Sequence, residues 1–163
     1  MEIKINDAIF FSTYSSELVL DSIIALVEKD LSEPYSIFTY RYFVNQWPEL
    51  CEMAHNSEGE LIGVIVCKVD KHKKSEKNRG YIGMLAVDKR YRNRGIASSL
   101  VQSVLKRMQQ QGLDECVLEA EITNKGALSL YQNLGFLRTK LLPNYYLSGT
   151  DAYRLKYFFT PLV

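Results

Sequence analysis

With two histidines, three cysteines and no Cys-x-x-Cys pair, this 163-residue chain lacks the usual raw material of a zinc site. His55 stands beside a polar turn and His72 among lysines, so neither has a partner at ligand spacing, and no metal is expected. Cys51, Cys67 and Cys116 are odd in number, far apart and each set in a strand-like run, which argues against a disulfide framework and for reduced core thiols. No apolar stretch approaches the roughly 20 residues of a membrane span. The opening residues, Met1 to Asn6, lack the long apolar run of a signal peptide, so the expectation is a soluble cytoplasmic protein without membrane attachment. Net charge is only +1, so nothing global draws the chain to nucleic acid or anionic lipid, and any basic site must be local. Repeats, low-complexity segments and linkers are also missing. The length suits one domain, residues 1–163, with a core that needs no staple.

What is present is periodicity. Ile9 to Tyr14 reads as a strand and Glu17 to Lys29 as a helix with Leu18, Ile23, Leu26 and Val27 as its apolar stripe. Pro34 suits the first turn of a second helix, Tyr35 to Gln46, ended by Trp47-Pro48. Apolar runs around Leu50 to Ala54 and Leu61 to Val69 flank the turn-forming Asn56 to Gly59, which suggests an antiparallel hairpin. A strand from Gly80 to Asp88 leads into a helix carrying Ile96, Leu100, Val101, Val104, Leu105 and Met108, closed by Gly112. A strand at Cys116 to Ile122, a helix at Asn124 to Leu134 and strands around Phe136 to Tyr146 and Ala152 to Phe159 complete the chain. Hairpins followed by strand-helix-strand-helix-strand predict an α/β fold, a mixed sheet with helices on both faces.

Between the Gly80 strand and the next helix lies Arg92-Asn93-Arg94-Gly95-Ile96-Ala97. A helix start exposes unpaired backbone N–H groups, Gly95 removes a side chain where a ligand would approach, and two arginines add to the positive end of the helix dipole. A pyrophosphate suits such a place. The spacing is neither that of a Walker loop nor that of a dinucleotide fingerprint. It resembles the Arg/Gln-x-x-Gly-x-Gly/Ala motif with which the GNAT N-acetyltransferases hold acetyl-coenzyme A. The blocks Asp30 to Ile37, Tyr40 to Phe43, Asn45 to Leu50, Tyr81 to Val87, Leu118 to Glu121 with Asn124, and Leu130-Tyr131 with Leu134-Gly135-Phe136 narrow the resemblance. Together they look like the family of catalytic subunits of the N-terminal acetyltransferase C (NatC) complex, from about Asp21 to about Tyr157. The resemblance implies a GNAT fold, acetyl-coenzyme A as cosubstrate, and two auxiliary subunits, a large scaffold and a small Sm-like protein.

Acyl transfer from a thioester to an amine needs a neutral amine, a stabilised carbonyl oxygen and a proton for the departing thiolate. Glu119 and Glu121 are two apart on a strand, so both carboxylates share one face, opposite Leu118, Ala120 and Ile122. An ion pair or exposure at a strand end would explain them structurally; burial would make one of them a usable base. The resemblance names Glu119 as general base and leaves Glu121 as assistant or structural partner on the substrate side. It also makes Tyr131 the group that protonates the leaving thiolate, although its helical spacing equally suits core packing. Asn124 reads as a helix cap and, by resemblance, as a contact to the coenzyme arm; both roles are compatible. The Leu85 N–H would polarise the acetyl carbonyl, and Val87 would bond the pantetheine amides.

For the acceptor, Leu31, Glu33, Tyr35, Tyr81, Tyr145 and Tyr146 match positions that line the peptide cleft of N-terminal acetyltransferases. Pro143-Asn144 departs from the aromatic-arginine pair the family usually carries before the paired tyrosines, which bears on fine peptide selectivity. Lys68, Lys71, Lys73, Lys74 and Lys77 read either as a solvated hairpin connection or as a contact with ribosomal RNA. The expected activity is acetylation of nascent chains that keep methionine ahead of a bulky apolar residue. A lysine or small-amine acetyltransferase and a non-catalytic acyl-coenzyme A binding subunit are the alternatives.

Overall fold

A computed structural model of the chain describes residues 8–31 and 33–159. The polar opening at residues 1–6 and Ser32, within the Asp30 to Ile37 block, lie outside them. The elements in chain order are β1 (Phe10–Thr13), α1 (Leu20–Glu28), α2 (Ile37–Gln46), β2 (Cys51–His55), β3 (Leu61–Lys71) and β4 (Asn78–Val87), followed by α3 (Ile96–Gln110), β5 (Glu115–Glu121), α4 (Lys125–Asn133), β6 (Leu137–Leu142) and β7 (Ala152–Phe158). Strands hydrogen-bond in the order β1-β2-β3-β4-β5-β7-β6, a mixed sheet and an α/β fold as the pattern predicts. The chain forms two compact units, residues 1–66 with 84–104 and residues 67–83 with 105–163.

In the first unit β1, β2 and β3 form an antiparallel meander, with a bulge at Ala54/His55. Asn56 locks the β2–β3 turn: its Oδ1 accepts from the N–H groups of Glu58 (3.0 Å) and Glu60 (2.9 Å). Its Nδ2 donates to the Tyr91 hydroxyl at 3.1 Å, tying that turn to the segment after β4. Leu20, Ile23, Tyr40, Leu50, Ile62 and Ile65 are among the fully buried side chains. Gly63 on β3 makes room for the first turns of α3. A Cβ there would lie 3.1 Å from Ile96 Cγ2 and 3.3 Å from Leu100 Cδ1.

The first helix differs from its expectation. Ser16 caps a 3-10 turn, Glu17–Val19, and the α-helix starts only at Leu20. A 3-10 turn advances 120° per residue rather than 100°, so Leu18 swings out of the stripe and stands 95% exposed while Leu20 takes its place. The second helix also starts late. Ser36 is extended and accepts from the Thr39 N–H, which leaves Pro34 and Tyr35 ahead of the helix rather than in its first turn.

In the second unit β4 pairs in parallel with β5 over only three positions, Arg79 to Tyr81 against Glu115 to Val117. From there β5 runs antiparallel to β7 along its whole length, and β6 closes the edge against β7. Leu118 and Ala120 are buried while Glu119 and Glu121 are partly exposed, the alternation the sequence implies. The last hairpin is shorter than expected. Asn144 adopts φ 52° and its N–H donates to Asp151 Oδ1 at 2.8 Å, so Tyr145 and Tyr146 sit in the β6–β7 loop and not on a strand. Cys51, Cys67 and Cys116 form no disulfide and are fully buried on β2, β3 and β5. Among the described residues no group of three or more His, Cys, Asp or Glu could hold a metal ion, and no helix is long and apolar enough to cross a membrane.

Candidate active site

The basic loop of the first unit is built by its neighbours. Asp88 caps a 3-10 turn, Lys89–Tyr91, by accepting from the Arg90 N–H at 2.9 Å. Its carboxylate is buried and held below the usual carboxylate range by the Arg90 side-chain hydrogen bond, against the opposing effect of burial. The Arg90 guanidinium also pairs with Glu60. The Arg94 guanidinium lies 5.0 Å from the Tyr91 ring centroid, so the buried tyrosine carries a cation toward the start of α3. Arg92 donates from Nε to the Val87 carbonyl at 3.3 Å and from Nη2 to Asp30 Oδ2 at 2.6 Å. Because the Arg92–Asp30 pair is nearly half exposed, it contributes about 0–1 kcal/mol and does not lock Arg92 away from a stronger anion.

Asn93 and Gly95 both adopt left-handed backbone, at φ 62° and 76°. A Cβ at Gly95 would meet nothing within 4 Å, so the glycine faces open space at the head of a 15-residue helix. Ile96 is buried and anchors the first turn, while Ala97 is partly exposed. Unpaired N–H groups, two arginines and an open approach fit a diphosphate. On the same unit Leu85 and Val87 alternate with the buried Met84 and Ala86 on β4. Leu31, Glu33 and Tyr35 lie in the α1–α2 loop, with the Tyr35 ring edge-on to Tyr40 at 5.9 Å.

The second unit holds the candidate proton-transfer groups. Glu119 has a side chain only 10% exposed. Its Oε1 accepts from the Tyr145 hydroxyl at 3.4 Å and lies 3.6 Å from Arg154 Nη2, while Oε2 is buried with no hydrogen-bond partner. Glu121 is partly exposed and bonded by Thr123 Oγ1 at 3.5 Å. Tyr145 packs edge-on against Tyr146 at 5.0 Å. Tyr81, in register with Val117, shares the β4–β5 face with Glu119 and has the Lys68 ammonium over its ring.

Tyr131 belongs to the other face. Burial pushes its hydroxyl well above the usual tyrosine range, with smaller contributions from Cys67 and Cys116, and Cys116 alternates with Glu119 on β5. The helix that carries it starts at Asn124, whose Oδ1 accepts from the Ala127 N–H at 3.1 Å, a cap worth about 1 kcal/mol. It ends at Leu134-Gly135, where the Phe136 N–H donates to the Tyr131 carbonyl at 3.0 Å. The Phe136 ring then packs edge-on to Tyr131 at 5.2 Å and leans on Tyr157 at 5.5 Å, which fixes the tyrosine from below. Glu119 thus projects from one side of β5, and Tyr131, carried on α4, lies toward the other.

Sequence reasoning missed Asp30, Asp88, Tyr91 and Arg154. The first two are ordinary charged residues until the loop closes on them. Tyr91 and Arg154 depend on a turn-to-turn hydrogen bond and on the β5–β7 register, which pairs Glu119 with Arg154.

Residues 20–136 match the acetyltransferase (GNAT) family, a span that includes the basic loop, Glu119 and Tyr131. The chain is 55% identical over 151 residues to N-alpha-acetyltransferase 30 of Xenopus laevis, covering 93% of this chain and 55% of that protein. It is 54% identical over 149 residues to N-alpha-acetyltransferase MAK3 of Arabidopsis thaliana, covering 91% and 77%. The chain therefore spans about half the length of its Xenopus relative. Among solved structures it is similar to a chain of the NatC complex bound to Gag peptide and CoA, with TM-score 0.87 and 45% identity over 95% of this chain and 99% of that one. A basic loop at a helix start, a buried carboxylate on the following strand and a tyrosine sealed into the next helix fall within one continuous family match, and the chain belongs to the GNAT acetyltransferases.

Proposed function

We propose that residues 1–163 act as one acetyl-coenzyme A dependent N-terminal acetyltransferase domain, the catalytic subunit of a NatC-type complex working in the cytoplasm. Its acceptors are the α-amines of proteins that keep methionine ahead of Leu, Ile or Phe. The observation that most supports this is the Glu119 carboxylate, its Oε2 buried and unpaired, on a chain 45% identical to a chain of a complex bound to both CoA and a peptide.

In this reading the diphosphate of the cosubstrate rests on the α3 start, Gly95 to Ala97, with Arg92, Asn93 and Arg94 around it. The Leu85 N–H polarises the acetyl carbonyl, and Val87 and Asn124 hold the pantetheine arm. Glu119 Oε2 takes a proton from the α-amine through a water, the amine nitrogen bonds to the acetyl carbon, and the carbon–sulfur bond breaks. Tyr131 is the general acid for the departing thiolate. Its raised proton affinity keeps it protonated across neutral pH, so it shares its proton as negative charge develops on sulfur. Placing base and acid on opposite sides of β5 lets the amine arrive on one side and the thiolate leave on the other. Leu31, Glu33, Tyr35, Tyr81, Glu121, Tyr145 and Tyr146 are the residues assigned to reading the peptide end. A large scaffold and a small Sm-like subunit complete the assembly. Lys71, Lys73 and Lys74, exposed or partly so around the β3–β4 turn, are the segment we assign to a ribosome contact.

A peptide series tests the assignment, with and without auxiliary subunits. Met-Leu, Met-Ile and Met-Phe peptides should be acetylated with graded kcat/KM, because an apolar pocket separates them by only about 1–3 kcal/mol per methylene-sized change. Ser- and Ala-starting peptides should fall well below them. A preference for internal lysine in α-blocked peptides in both settings would overturn the reading.

A further inference from the structure

The register of the second unit places a cation directly across the ladder from the proposed base: Glu119 on β5 is the partner of Arg154 on β7. Cross-strand partners on one face keep their Cβ atoms within about 5.5 Å, so the contact is a consequence of the ladder rather than of a chance rotamer. The guanidinium Nη2 stands 3.6 Å from Oε1, and the Tyr145 hydroxyl donates to the same oxygen at 3.4 Å. Both partners therefore hold Oε1, and Oε2 is left buried and unpaired.

A carboxylate held by one oxygen has its torsion fixed and its second oxygen aimed. We propose that Arg154 is the positioning residue of the acyl transfer. It fixes Glu119 by Oε1 and so presents Oε2 as the acceptor of the amine proton. This rests on the reading of Glu119 as the base.

The other charged and titratable groups on that face do not supply the same service: Lys140 on β6 is in register with Arg154 and so lies one strand further from Glu119. From β7, the Lys156 ammonium is engaged by Glu115 at 3.1 Å. From β4, Arg79 is paired with Asp70 at 2.6 Å, and Tyr81 has the Lys68 ammonium over its ring. From β5 itself, Glu115 and Glu121 are carboxylates and cannot pair with Glu119 as a cation does. From the β6–β7 loop, Tyr145 donates a hydrogen bond but no charge. Arg154 is 30% exposed, enough to be a charge in contact with solvent and close enough to act on a side chain that is not.

The test uses the full chain in its active complex, with a Met-Leu peptide and acetyl-coenzyme A. Arg154→Met keeps the aliphatic stem and removes the charge. It should lower kcat at least about tenfold with the peptide KM within about threefold. Arg154→Lys should restore most of kcat. In a Glu119→Gln background, Arg154→Met should cause no further loss, because the group it positions is gone. Unchanged coenzyme affinity in every variant reports that the fold is intact. An unchanged kcat, a loss confined to KM, no rescue by lysine, or the same loss on both backgrounds would overturn the role of Arg154 while leaving Glu119 as base. Parental turnover in Glu119→Gln alone would remove the base itself, and Arg154 would then have nothing to position.

Discussion

Gly95→Ala separates the phosphate reading of the basic loop from a purely structural one, because the position carries two independent demands. At φ 76° an L-residue is strained, which costs about 1–2 kcal/mol. For a domain of this size 1 kcal/mol moves Tm by about 2–4 °C, so the variant should melt about 2–8 °C lower whatever the loop does. The second demand is space. With no atom within 4 Å of the added Cβ, alanine meets no steric objection from the protein itself. Its only collision is with whatever approaches the loop. If a diphosphate sits there, one charge-assisted hydrogen bond of about 1.5–3 kcal/mol is lost. Coenzyme A affinity measured by titration calorimetry should then fall by about 10–150-fold. Pantetheine, which lacks the diphosphate, should bind the variant as it binds the parent. Asn93→Gly is the control, since it relaxes a second left-handed residue without adding bulk and should keep coenzyme binding. A lowered Tm with coenzyme A affinity unchanged within about threefold would refute the diphosphate site and reduce Gly95 to a turn residue. Equal losses for coenzyme A and pantetheine would instead indict the loop's general collapse.

Other expectations follow from packing and protonation. Gly63→Ala drives a methyl to 3.1 Å from Ile96 and should cost about 1–3 kcal/mol while loosening the start of α3, read as a lower Tm together with weaker coenzyme A binding. Burial raises the Cys51 thiol to about 12 from 9.0 and the Tyr40 hydroxyl to about 12 from 10.0, so the folded state holds these protons more tightly than the unfolded one. That stability is intact below about pH 9 and is lost as pH climbs toward 12. Tm should therefore fall on the alkaline side, less so in Cys51→Ala; a flat Tm from pH 8 to 11 would contradict it. Because the Tyr131 hydroxyl is raised, kcat should show no alkaline limb below pH 10 from its ionisation, and Tyr131→Phe should lower kcat more than it changes KM.

Elements that rest on local chemistry were readable in the chain. The capped helix from Asn124, the Arg92 to Ala97 loop at a helix start and the alternation around Glu119 are short-range patterns, and the structure places each within a residue or two of its expected span. Leu18 and Tyr145-Tyr146 show where such reading stops. Leu18 has the right spacing for a helical stripe, but a serine-capped 3-10 turn rotates it into solvent. The two tyrosines read as the end of a strand, but Asn144 turns the chain before them by bonding Asp151 seven residues away. Asp30 and Arg154 were invisible for a different reason. Their partners, Arg92 and Glu119, lie 62 and 35 positions away, and only a closed loop and a paired ladder bring them together.

The three inert thiols make the native protein its own reporter of breathing. Each is fully buried and outside any disulfide, and each sits on a different strand, Cys51 on β2, Cys67 on β3 and Cys116 on β5. A thiol reagent reaches none of them until the surrounding strand opens, so the rate at which each is alkylated under native conditions measures the free energy of that local opening. Cys51 lies in one compact unit and Cys67 and Cys116 in the other. Three equal rates would mean that the sheet yields as a whole, whereas slow Cys116 beside fast Cys51 would mean that the strand bearing Glu119 outlasts the region through which the peptide end must be admitted.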